Sequence, residues 1–126
     1  MDFTITEKMK VILEMINEFV DKELIPLEPA FLAGNEAELA PVILEKQKKV
    51  RQMELWGPCY PKELGGVGLS LTEHALVSEA LGRTPLGHFV FWCQAPDVGN
   101  IELLEMFGNE EQKKTWLHPL VAGDIR

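Results

Sequence analysis

The chain has 126 residues, of which 46% are hydrophobic and 25% charged, and its 20 acidic and 12 basic residues give a formal net charge of −8. This length and composition are those of one globular domain with its own core. Because no run of basic residues is longer than Lys48–Lys49, the charge pattern argues against binding to nucleic acid or to an anionic membrane.

Neither a membrane span nor a targeting leader is predicted. No apolar run approaches the length of about 18 residues that a span needs. The first residues lack the basic-then-apolar order of a secretory signal, and they include Glu7 and Glu14, which argues against a transit peptide. A cytoplasmic location is therefore expected. A mitochondrial or peroxisomal location is the alternative if a targeting signal lies outside this sequence. Cys59 and Cys93 are expected to be reduced and buried.

The first half of the chain predicts two long helices. Apolar residues recur with helical spacing from Thr6 to Leu24, and Pro26 and Pro29 are expected to end that helix. A second helix is predicted from Pro41 to Trp56, since proline suits a first helical turn. Its predicted buried stripe comprises Val42, Ile43, Val50, Met53 and Trp56, and its predicted solvated residues are Glu45, Lys46, Gln47, Lys48, Lys49 and Arg51.

A long Gly/Pro-rich loop at residues 57–70 separates these helices from four shorter ones. Ser70 and Glu73 match a capping box that opens a third helix, which ends near Leu81. The apolar run from Pro85 to Cys93 could be a short helix or a strand. A helix is favoured because no partner strand is nearby.

Asp97 is expected to cap a fifth helix, which ends at Phe107. Asn109 and Gln112 match a second capping box for the last helix, whose apolar residues are Trp116, Leu117, Leu120 and Val121 and whose stop is Gly123. The predicted fold is therefore all-α: a compact bundle of about six helices joined by short loops.

None of the common catalytic or metal-binding patterns is present. The glycines at Gly65–Gly68 do not match a phosphate-binding loop, and they predict a tight turn between the second and third helices. The histidines His74, His88 and His118 lack metal-ligand spacing, and His74 and His118 are expected at the surface. Ser70 is explained by capping, and Cys93 by burial. The sequence therefore predicts no catalytic, cofactor-binding or metal-binding residue of its own.

Three segments carry a family resemblance. They are GNEEQKKTWLHPLVAGDIR at residues 108–126, the loop from Pro61 to Ser70, and the segment from Ala75 to Gly87. Together they resemble the amino-terminal helical domain of acyl-CoA dehydrogenases, and the resemblance covers essentially the whole chain, residues 1–126.

That resemblance implies an oxidoreductase that uses FAD to convert an acyl-CoA thioester to the 2,3-enoyl-CoA. In the family, a middle β domain holds the flavin and a carboxy-terminal helical domain supplies the catalytic glutamate. Both domains are expected to be absent from these 126 residues, so the chain alone is not expected to bind FAD or to be active. The parent enzyme is expected to bind acyl-CoA and to form a homo-oligomer through its other domains.

Two interpretations fit the apolar segment from Phe89 to Val98. It could be a core helix followed by a capped turn. By resemblance to the family, it could also form part of the tunnel for the acyl chain, since an apolar tunnel suits an alkyl tail. The candidate lining residues are Phe91, Trp92, Cys93, Gln94, Ala95 and Val98.

Two alternatives for the whole chain stay open at this stage. One is a free-standing helical interaction module, which predicts a polar exterior, whereas a domain of a larger enzyme predicts a broad exposed apolar face. The other is the same domain from an acyl-CoA oxidase or a flavin monooxygenase.

Overall fold

The computed structural model describes residues 4–126, which form an all-α bundle without strands, as predicted. Six helical runs follow one another. They contain the helices α1 (Glu7–Phe19), α2 (Glu28–Leu32), α3 (Glu36–Gln52), α4 (Leu71–Leu81), α5 (Gly87–Val90), α6 (Asp97–Phe107), α7 (Glu110–Gln112) and α8 (His118–Ala122). The short α5 confirms the helix that was favoured over a strand for the Pro85–Cys93 segment.

The prolines interrupt the helices less than the sequence predicts. The chain continues from α1 through a π turn at Val20–Leu24 and a 3₁₀ turn at Ile25–Leu27 into α2, so Pro26 and Pro29 do not end the first helical run. Each lies in a first turn, where the missing N–H has no helical partner to lose.

The second predicted helix begins and ends earlier than expected, since α3 stops at Gln52 and not at Trp56. The structure starts α3 at Glu36 and places Pro41 inside it. The turn before Pro41 forms because Leu39 is buried in the core. The backbone N–H of Leu39 also donates to the Asn35 carbonyl at 3.1 Å.

Both predicted capping boxes are confirmed. The Ser70 hydroxyl accepts from the Glu73 N–H at 3.3 Å, and the Glu73 carboxylate accepts from the Ser70 N–H at 2.8 Å. Asn109 and Gln112 make the equivalent pair, which opens α7. The prediction that Asp97 caps α6 is wrong, because Asp97 is the first residue of the helix and Pro96 precedes it as the cap.

The helix faces are confirmed for α1 and corrected in places elsewhere. The α1 stripe buries Met9, Ile12, Ile16 and Phe19, and the π turn after it buries Val20 and Leu24. Several apolar residues are exposed: Ile5, Leu71, Ala75, Phe107 and, against the prediction for the last helix, Trp116. Trp116 is 50% exposed, since a π turn at Lys113–Leu117 changes the helical period there, whereas Leu117 is buried in the core as predicted.

Gln47, which was predicted to be solvated, is buried. Only 7% of it is exposed, and its side-chain N–H donates to the Phe89 carbonyl at 3.3 Å. Lys46 is half-buried as well, because its ammonium binds the Glu23 carboxylate at 2.6 Å. Both residues therefore tie α3 to its neighbours instead of facing water.

Two tryptophans and an arginine hold the end of α8. The rings of Trp56 and Trp92 are stacked, with centroids 5.3 Å apart and an interplanar angle of 11°. Their indole N–H groups donate to consecutive carbonyls, Trp92 to Leu120 at 2.7 Å and Trp56 to Val121 at 2.9 Å. The Arg51 guanidinium lies 3.5 Å from the Trp56 ring centroid and donates to the Ala122 carbonyl at 2.7 Å. Side chains thus donate to three carbonyls at the end of this helix, and the Leu120 carbonyl also accepts from the Gly123 N–H at 3.1 Å.

Two histidines, one in α4 and one in α5, are half-buried. His74, predicted at the surface, is half-buried, and among the described residues its Nδ1 is buried without a hydrogen-bond partner. His88 Nε2 lies 2.8 Å from the Ser78 hydroxyl. Burial lowers the pKa of both histidines, and the charge of His88 lowers the pKa of His74 further, whereas Glu102 opposes this. His118 is exposed, as predicted.

The tryptophan contacts generate the first prediction. We expect Trp92→Phe to lower the free energy of unfolding by about 1–3 kcal/mol, because it removes one of the two donors to the Leu120 carbonyl, the other being the Gly123 N–H, and opens a small cavity. Trp116→Phe is the matched control. Because Trp116 is half-exposed, this substitution should change the free energy of unfolding by no more than about 0.5 kcal/mol. Urea unfolding of both variants measures the difference, and equal losses would contradict the role given to the indole hydrogen bond.

The second prediction concerns pH. Since the pKa values of His74 and His88 are lowered in the folded state, the unfolded chain binds protons first as the pH falls. Stability should therefore be complete above about pH 6.5, the ordinary histidine pKa, and should decrease below it. Between pH 7.5 and pH 5.5, the free energy of unfolding measured in urea should fall less in the double variant His74→Leu/His88→Gln than in the wild type. His118→Gln is the control. If the double variant kept the wild-type pH dependence, the two histidines would not be its cause.

Candidate functional site

An apolar groove of about 500 Å³ lies between the first half of α3 and the segment around α5. This volume is in the range of small-molecule pockets. Its lining residues are Phe31, Glu36, Leu39, Ala40, Ile43, Leu44, Gln47, Pro85, Leu86, Phe89, Gln94 and Arg126. The walls come from three parts of the chain that are distant in sequence, so no local pattern indicated this groove.

Polar groups collect at one end of the groove. The Gln47 amide N–H binds the Phe89 carbonyl there. The Arg126 guanidinium lies over the Phe89 ring, 4.7 Å from its centroid, and its Nε donates to Asp97 Oδ2 at 3.0 Å. Asp97 is buried, so this ion pair joins the last residue of the chain firmly to the start of α6.

The six residues predicted to line an acyl tunnel divide into two groups. Phe91, Trp92 and Cys93 are buried in the core, where Phe91 packs edge-on against Phe19 with ring centroids 5.5 Å apart. Gln94 is half-buried and lines the groove, Ala95 is exposed and Val98 is half-buried. The structure therefore brings Gln94 to the groove and places three of the others behind it. Their part in acyl binding stays a prediction.

The two cysteines are free thiols, as expected. Burial raises the pKa of Cys59 to about 11, and it also raises the pKa of Cys93. A thiol must lose its proton to act as a nucleophile. Both cysteines are therefore unreactive at neutral pH, in agreement with the structural role predicted for Cys93.

The Gly-rich loop is a tight turn, as predicted. Gly65 and Gly68 have φ values of +87° and +70°, which favour glycine. A Cβ on Gly66 would lie 2.2 Å from the Tyr60 carbonyl oxygen. The close approach that glycine permits is therefore occupied by Tyr60 and not open to a phosphate. This loop does not fit the pyrophosphate of FAD.

A second cleft, of about 660 Å³, opens beside this loop, and three basic residues, Lys8, Arg51 and Lys62, contribute to its lining. Arg51 is already bound to Ala122 and stacked on Trp56. We place the candidate site in the first groove, because the predicted segment reaches that groove through Gln94.

Within residues 4–126, no helix is both long and apolar enough to cross a bilayer. The same part of the chain contains no group of three or more His, Cys, Asp or Glu side chains arranged to hold a metal ion.

Comparison with known proteins gives one consistent result. The family model for the acyl-CoA dehydrogenase N-terminal domain matches residues 6–124. Acyl-CoA dehydrogenase family member 11 of Mus musculus is 36% identical over 98% of this chain and 16% of that protein. Family member 10 of the same species is 34% identical over 90% of this chain and 11% of that protein.

A solved structure of a protein from Mycobacterium abscessus, assigned to the acyl-CoA dehydrogenases, superimposes with a TM-score of 0.87 at 36% identity. The match covers 98% of this chain and 33% of the other. The chain thus spans about a sixth of the length of the family member 11 protein and a third of the solved one. By sequence and by fold, this chain belongs to the acyl-CoA dehydrogenase family and corresponds to its amino-terminal domain.

Proposed function

We propose that this chain is the amino-terminal domain of an FAD-dependent oxidoreductase that catalyses the 2,3-dehydrogenation of acyl-CoA thioesters. Its part is to provide one wall for the acyl chain and a face against which other domains pack. The flavin and the catalytic base belong to domains outside these 126 residues, and the oligomer forms through those domains.

The observation that supports this proposal most strongly is the groove between α3 and α5. Leu39, Ile43, Leu44 and Leu86 give it an apolar wall, and Gln94 connects it to the segment that the family resemblance singled out. Each methylene group that leaves water on such a wall contributes about 0.8 kcal/mol. An alkyl chain is therefore the ligand that this surface favours.

The buried positions of Phe91, Trp92 and Cys93 refine the tunnel prediction. We assign contact with the acyl chain to Gln94, which lines the groove, whereas Ala95 and Val98 retain accessible surface but are not among the lining residues. The three buried residues support this segment from behind. Trp92 in particular is anchored by its hydrogen bond to Leu120.

Exposed apolar residues support the second part of the proposal, the packing face. Leu103, Met106 and Phe107 lie at i, i+3 and i+4 on α6, so they form one exposed stripe. A stripe of this kind is unusual on a monomeric surface and is typical of a covered interface. This agrees better with a domain of a larger enzyme than with a free-standing module that has a polar exterior.

The third prediction tests the groove as an acyl-binding wall. Leu44→Gln should weaken binding of methyl octanoate to this chain by roughly tenfold, since about 1–2 kcal/mol of apolar contact is lost. Leu103→Gln is a matched control, because Leu44 and Leu103 are 58% and 59% exposed and only Leu44 lines the groove. A chemical-shift titration measures both affinities. Equal weakening in the two variants would place the binding site elsewhere.

The fourth prediction concerns the flavin. The purified 126-residue chain is expected to show no flavin absorbance band and no dye-coupled oxidation of acyl-CoAs. The reason is that the proposed division of roles assigns the flavin and the catalytic base to other domains, and that the space beside Gly66 in the Gly-rich loop is occupied by Tyr60. Stoichiometric FAD, or turnover by this chain alone, would overturn the division of roles proposed here.

A further inference from the structure

Arg126 is the only basic residue that lines the apolar groove in the described part of the chain. Its Nε is fixed by the buried Asp97 carboxylate, and its face rests on the Phe89 ring. Within residues 4–126, neither terminal amino group of this guanidinium makes a hydrogen bond to the protein. The side chain is thus held in place while two of its donor groups remain available.

A second donor lines the groove that Arg126 bounds at one end. Gln94 stands three residues before Asp97, the partner of Arg126, and its side-chain amide has no hydrogen bond among the described residues. Gln47 marks this end too, because its N–H binds the carbonyl of the same Phe89 that carries Arg126.

The opposite end of the groove has different chemistry. Glu36 is the first residue of α3, and it stands eleven residues before Gln47. At 1.5 Å per helical residue, the two ends are therefore separated by roughly 16 Å. Leu39, Ile43 and Leu44 lie between them. The groove therefore has an apolar middle, a cation at one end and an anion at the other.

A fixed guanidinium beside an apolar wall matches one class of ligand. Its planar fork binds carboxylate and phosphate oxygens through two parallel hydrogen bonds, which neutral groups cannot match in strength. We infer that Arg126 and Gln94 form a receptor for an oxyanion carried on the bound acyl chain, so that the groove selects chains bearing a carboxylate or a phosphate. This inference rests on the proposal that the groove receives an acyl chain.

The test compares three probes that share one alkyl chain: methyl octanoate, octanoate and octyl phosphate. The isotope-labelled 126-residue chain is prepared with an amidated carboxyl end, so that the guanidinium is the only charge on residue 126. Chemical-shift titration at low salt gives the three affinities, and the Arg126 Nε–H signal reports the site directly. Both anions should bind roughly tenfold more tightly than the ester, as expected for one charge-assisted pair.

The variants separate recognition from structural support. Arg126→Met should reduce the anion-to-ester affinity ratio to about one, and Arg126→Lys should restore part of it, because lysine keeps the charge without the fork. Arg83→Met is the matched control. Arg83 and Arg126 are 42% and 44% exposed at their side chains, each pairs with an aspartate, and Arg83 is not part of the groove. A ratio of affinities within one variant does not depend on how stable that variant is.

Each outcome has a separate meaning. If none of the probes binds, the proposal that the groove receives an acyl chain is refuted, and the oxyanion receptor is refuted with it. If all three bind equally, or if Arg83→Met lowers the ratio as much as Arg126→Met, the groove stands and the oxyanion receptor is refuted. Tighter binding of octanoate alone, or of octyl phosphate alone, supports the receptor and identifies which anion it takes.

Discussion

The end of the chain is fixed by two stacked indole rings. Trp56 follows α3 and Trp92 follows α5, yet their N–H groups reach consecutive carbonyls in the last turn of α8. Buried carbonyls are costly unless they accept a hydrogen bond, so this geometry allows little movement. A Cβ on Gly123 would lie 3.0 Å from the Trp56 ring, which shows how closely the chain passes this stack. Three helices from separate parts of the sequence are thereby joined at one place.

The candidate groove follows from this constraint. Arg126 comes three residues after Gly123, and its guanidinium can pair with Asp97 and rest on Phe89 only because α8 ends where the tryptophans hold it. The other wall is set by Gln47, which links α3 to the Phe89 carbonyl. The ion pair between Arg126 and buried Asp97 contributes little net stability, because the cost of removing both charges from water offsets much of their Coulomb attraction. Its main effect is to fix the position of the guanidinium. The result is a groove whose one charged donor has a defined position.

Local sequence patterns predicted most of the helices correctly. They failed for residues whose burial depends on contacts with other helices. The two capping boxes were correct because each depends on residues three positions apart. The α1 face was correct because one helical period fixes it. The prediction that Gln47 is solvated was wrong, since its burial is favourable only because its amide binds a carbonyl 42 positions away in the sequence. The prediction for Trp116 was wrong because this residue lies in a π turn, which changes the helical period. The prediction that the second helix starts at Pro41 was wrong, because the free energy gained by burying Leu39 outweighs the cost of a proline inside the helix.

Local patterns of residues predict the all-α class, the ends of most helices, the tight Gly65–Gly68 turn and, through three motifs, the acyl-CoA dehydrogenase family. These properties are set by neighbours within one or two helical turns, or by short strings of residues. Packing between distant segments, by contrast, places Phe91 and Trp92 in the core, brings Gln94 to a groove and sets Arg126 at its end. Burial and the position of a charge depend on such contacts, here between α3, α5 and the residues after α8, and no local spacing encodes them.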